Sequence, residues 1–145
     1  MKLGRSLITA GVILVAACRM HAASEAPPSR AGATLAQVYY WRAKPGMLAA
    51  YTAYIRDVAQ AIDEDARQHG AFISVTTYQS RDTLSPWTHA RIFLLRDSTQ
   101  LAALGASLNA AGARVEPDSA KRKARSDYAA TLRDAAGSAM LDVIH

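Results

Sequence analysis

Leu35-Ala36-Gln37-Val38-Tyr39-Tyr40-Trp41-Arg42, followed by Ala43 and the triplet Lys44-Pro45-Gly46, opens the folded part of the chain. Its aromatic and branched residues read as a β-strand. The triplet reads as a turn. Beyond it Leu48, Tyr51, Ile55, Val58 and Ile62 recur at spacings of three and four, one apolar stripe of a long helix. Arg56, Asp57, Asp63, Glu64 and Arg67 fall on its other side, and Gly70 offers a left-handed stop.

Working toward the C-terminus, Phe72 to Tyr78 alternates like a half-buried strand. Residues 80–87 are polar, contain Pro86 and read as a loop. His89 to Leu95 is a third strand. Asp97 or Ser98 caps a second helix carrying Leu101, Leu104 and Leu108, which Gly112 closes. Pro117-Asp118-Ser119 opens a third helix with Tyr128 and Leu132 on its apolar side. Gly137-Ser138 breaks it, and Ala139 to Ile144 is a short last strand. The order strand, helix, strand, strand, helix, helix, strand is an α+β class fold. It is the ferredoxin-like β-α-β-β-α-β arrangement with one extra helix before the last strand. Its antiparallel sheet carries helices on one face and needs a cover on the other.

Residues 38–46, with the helix after them, resemble the opening of the dimeric α+β barrel superfamily, which includes the antibiotic-biosynthesis-type monooxygenases. The resemblance spans 35–145 as a pattern of elements. It implies a homodimer whose two sheets close into a barrel, with a pocket between each sheet and its own helices. It does not imply one activity, since the fold hosts many. Members that degrade haem use an Asn, a Trp and a His. The sole Asn here is Asn109, in the second helix, so that activity is not implied. The monooxygenases of the group often work without metal or prosthetic group.

Working toward the N-terminus, residues 24–34 (Ser-Glu-Ala-Pro-Pro-Ser-Arg-Ala-Gly-Ala-Thr) lack periodicity and read as a tether. Ahead of it Lys2 and Arg5 precede an apolar run from Leu7 to Ala17, which ends on Cys18, the sole cysteine. Basic, apolar, small, then Cys is a secretion signal. The run is far shorter than the roughly 20 residues a spanning helix needs. Val15-Ala16-Ala17-Cys18 resembles the bacterial lipobox, which implies lipidation of Cys18. The layout is then a signal peptide at 1–17, lipidated Cys and linker at 18–34, and one domain at 35–145. Arg19 in place of Asp favours the outer membrane if the source is Gram-negative. An ordinary signal cut after Ala22 or Ala23 is the alternative.

Charge excludes some classes. The chain carries 17 Lys and Arg against 12 Asp and Glu, a net +5. Losing Lys2 and Arg5 with 1–17 leaves 15 against 12, or +3. That balance argues no nucleic-acid partner. No two His lie at metal-ligand spacing and Cys18 is spent on lipid, so no structural zinc is expected. There is no Gly-rich phosphate loop and no Gly-x-Ser-x-Gly elbow, and no cofactor is implied.

Candidate site residues remain. Tyr39, Trp41, Tyr78 and Trp87 are the expected lining for a flat apolar ligand. The bland reading is core or interface packing. His89, at the start of the third strand, is the candidate general base. Its alternative is an exposed strand-end His. Lys121-Arg122-Lys123-Ala124-Arg125 reads as a solvated helix face or a contact for anionic lipid. Three functions stay open: a ligand-binding envelope lipoprotein, a cofactor-independent monooxygenase using His89, and a docking protein of the cell envelope.

Overall fold

A computed structural model describes residues 30–144. The expected signal at 1–17, Cys18 and most of the linker fall outside the described residues. Strand β1 is Leu35–Ala43. Helix α1 (Leu48–Tyr54) continues through a π-helical turn (Ile55–Ala59) into α2 (Gln60–Gln68). Then come β2 (Ser74–Gln79), β3 (His89–Leu95), α3 (Ser98–Val115), α4 (Ser119–Leu132) and β4 (Arg133–Asp142). The sheet order is β2-β3-β1-β4 with every pair antiparallel, which is the ferredoxin-like α+β fold expected, with α4 as the extra helix.

The local reasons are short-range. Lys44-Pro45-Gly46-Met47 closes a turn in which Met47 N donates to Lys44 O at 2.9 Å and Gly46 takes a φ of 75°. Pro before a positive-φ Gly is the composition such a turn demands. Asp97 caps α3 by accepting from Gln100 N, and Asp118 caps α4 by accepting from Ala120 N and Lys121 N. Each cap satisfies amides that the helix itself leaves unpaired.

The core lies between α2, α3 and one face of the sheet. Phe72, Phe93, Leu95 and Leu104 are buried there beside Ala66 and Ala111. The rings of Phe72 and Phe93 meet edge to face at 5.0 Å. Gly112 of α3 faces Ile62 of α2, and a Cβ there would meet Ile62 Cδ1 at an ordinary contact distance of 4.0 Å. A buried ion pair crosses the core, from Arg91 of β3 to Asp63 of α2. Regular α-helical geometry alone would set Tyr51 and Asp63 about 120° apart around the axis. The wider π turn between them re-phases the helix, and both are buried.

Several boundaries differ from the sequence reading: β2 begins at Ser74, not Phe72, and the last strand ends at Asp142, not Ile144. Gly112 does not end the second helix: α3 runs on to Val115, and Glu116 N donates to Gly112 O at 3.0 Å. The last strand begins at Arg133, not Ala139. Residues 133–135 pair with Trp41–Ala43, an edge that would otherwise lack partners. The register shifts between Tyr40 and Trp41, and Gly137, at φ 128°, sits at that bulge. Ahead of Leu35, Thr34 N already donates to Leu95 O and Val143 N to Thr34 O.

Candidate functional site

An open cleft of about 940 Å³ lies between the sheet and the helices. That is within the size range of small-molecule sites. Trp41 and Arg133 form its sheet side. Tyr54, Val58 and Ile62 come from the first helical run, Leu108 and Gly112 from α3, and Arg122, Lys123 and Ser126 from α4. Arg133 lies flat over Trp41, with Cζ 3.4 Å from the ring centroid, and stands 5.4 Å from the Tyr51 ring. Burial draws the Arg133 guanidinium below its ordinary value, yet an arginine stays charged throughout the physiological range. Burial pushes the Tyr51 hydroxyl up to about 12, against the pull of Arg133 and Arg91, so it remains a neutral phenol.

The expected aromatic lining is divided. Of its four members only Trp41 lines this cleft. Tyr39 packs edge-on against Phe93 at 5.9 Å, as part of the core. Tyr78 pairs with Ala90 on the opposite sheet face and is 49% exposed. Trp87 precedes β3 and meets the ring of Tyr40 at 5.6 Å. Alternation along β1 separates Tyr39 and Trp41 from Tyr40, and with it from Trp87.

His89 is neither an exposed strand end nor part of the cleft lining. It is 1% exposed, under the edge of the Tyr51 ring at 4.7 Å. Both ring nitrogens are engaged. Thr52 Oγ1 donates to Leu48 O and lies 3.1 Å from Nε2. Thr88 Oγ1 accepts from Ala43 N and lies 3.0 Å from Nδ1. A neutral imidazole with the proton on Nε2 satisfies this network, and burial holds His89 below its usual value. The residue joins β3, β1 and α1.

Arg133, Tyr54 and Ser126 were not legible as site residues. Arg133 lies where the alanine-rich run reads as helix. Tyr54 lies one position off the apolar stripe, which the π turn shifts. The basic run of α4 is locally anchored. Lys123 pairs with Asp127 at 2.6 Å and Arg125 with Glu116 at 3.1 Å. Arg122 Nη1 donates to the carbonyls of Glu116 and Pro117. Among the described residues no group of three His, Cys, Asp or Glu is placed to hold a metal, and no helix is long and apolar enough to cross a membrane.

Fold and cleft together define a class: a ferredoxin-like α+β domain with a ligand-sized cleft under its helices. A solved structure with a similar fold is that of HapK from Hahella chejuensis. It is similar to this chain at a TM-score of 0.52 and 9% identity, over 76% of this chain and 92% of that one. At that identity the likeness shows the fold alone. No family model matches the chain, and no curated protein matches it in sequence.

Proposed function

We propose that this is an exported, Cys18-lipidated envelope protein whose domain binds a small flat molecule in the cleft over Trp41. The observation that carries the binding reading is the cleft itself. It has the volume of a ligand site, an aromatic floor at Trp41, apolar walls at Tyr54, Val58, Ile62 and Leu108, and a few polar groups on α4. The monooxygenase reading with His89 as base is less well supported, because His89 is spent on Thr52 and Thr88 away from the cleft.

The test fills the space. Ser126 is exposed on α4 and lines the cleft. Ser126→Trp is expected to weaken binding of 2-naphthamide, a flat neutral probe, by at least roughly tenfold in calorimetry. Its melting temperature should stay within a few degrees of the parent, because the site is at the surface. Binding of the probe that Ser126→Trp leaves unchanged would sink the cleft reading.

The address and assembly belong to the same proposal. The sheet face away from the helices carries Ile92, Leu94 and Leu141, and a second copy closing on it would form the barrel dimer. Cys18→Ser should release the protein from membranes, and sizing of that variant should return twice the chain mass. Retention on membranes counts against lipidation, and a clean monomer counts against the dimer.

A further inference from the structure

We propose that the occupant of this cleft carries an oxyanion, a carboxylate or its equivalent on a flat aromatic body, and that the unpartnered guanidinium of Arg133 is the group that receives it. This rests on the cleft being a ligand site. Four cations line the cleft, and three already have acceptors: Lys123 has Asp127, Arg125 has Glu116, and Arg122 has two carbonyls. The Arg133 side chain has no hydrogen bond or ion pair among the described residues, and its Nε is buried without a partner.

The reason is positional. The carboxylate next to it in sequence, Asp134, faces the other side of the strand and pairs with Lys44 at 3.7 Å. Arg91, the other cation of the sheet interior, is matched by Asp63. The fold therefore holds Arg133 among the rings of Trp41 and Tyr51, and no carboxylate of the described residues pairs with it.

The geometry selects the kind of ligand. Stacking on Trp41 uses the face of the guanidinium and leaves its edge free. With Nε buried, the free edge is the Nη1–Nη2 pair, whose parallel N–H groups match the two oxygens of a carboxylate. An aromatic body joined to that carboxylate would extend along the apolar wall of Tyr54, Val58 and Ile62. Arg122, Lys123 and Arg125 add a positive field at α4 that draws an anion in and weakens with salt.

The experiment compares 2-naphthoate with 2-naphthamide on the purified full chain by calorimetry. They share one ring system and differ in charge. The carboxylate is expected to bind on the order of tenfold tighter or more, the usual weight of a charged hydrogen-bonded pair. Arg133→Gln should abolish that preference by weakening naphthoate alone, with circular dichroism unchanged, and Arg133→Lys should restore part of it. Equal affinity of the two probes for the parent protein overturns the anion assignment and leaves the cleft reading standing. So does a preference that survives Arg133→Gln in a folded variant. Failure of both probes to bind overturns both.

Discussion

Asp63→Ala should lower the unfolding free energy by about 3–5 kcal/mol, measured by urea denaturation. Asp63 and Arg91 are both nearly buried, with 11% and 16% of their side chains exposed. Removing the carboxylate strands a guanidinium whose Nε already lacks a partner. Burial raises the Asp63 carboxyl above its ordinary value although Arg91 pulls it down, so the pair is held at a desolvation cost. Much of the loss should therefore return when Arg91 is also made apolar. Asp63→Ala with Arg91→Met is expected to be milder than Asp63→Ala alone. A single variant within about 1 kcal/mol of the parent would show that the pair is not buried in solution.

Replacing His89 has the second large effect, and its signature is pH. His89→Ala leaves a cavity beneath Tyr51 and removes two hydrogen bonds, a loss of about 2–4 kcal/mol at neutral pH. In the parent protein burial depresses the folded value of His89, while the unfolded chain titrates near 6.5. Above that value both states are neutral and the stabilisation is fully present. As pH falls below it the unfolded state binds the proton first, so stability declines until the folded value is passed. Melting temperatures of parent and His89→Gln across this window should converge as pH falls. Parallel curves would mean that His89 is not buried neutral.

Much of the fold was legible because its signals are local. The strand at Leu35, the Pro45-Gly46 turn, the caps at Asp97 and Asp118 and the apolar stripe each declare themselves within a few residues. The last strand did not. Residues 133–136 are Arg-Asp-Ala-Ala, of which Arg and the two Ala are good helix formers, and they extend only because the free edge of β1 offers hydrogen bonds to any backbone. Site legibility failed for the same reason. Trp41 could be read from its own strand, but Arg133 joins it only through the pairing of residues far apart in sequence. His89 looked terminal because its strand starts there. It is covered by Thr52 and Tyr51, which belong to a helix that no local pattern places above it. Tyr78 shares only its residue type with Trp41, since the pleat puts it on the opposite face, and Trp87 lies in the loop before β3 against Tyr40.

The bulge opposite Tyr40 and Trp41 acts as a parity switch. On β4 Ser138 pairs with Tyr39 and Arg133 with Ala43. The two β1 residues are an even step apart and share the helix-facing side, whereas the two β4 residues are an odd step apart. One extra residue, Ala136, absorbs the difference. Pairing the same residues regularly from Ser138, with Ala136 opposite Trp41 and no bulge, would set Asp134 opposite Ala43 on the helix side and turn Arg133 over to the outer side of the sheet. The sign of the charge beside Trp41 would reverse without any substitution. The cleft's chemistry is thus encoded by the pairing register as much as by residue type.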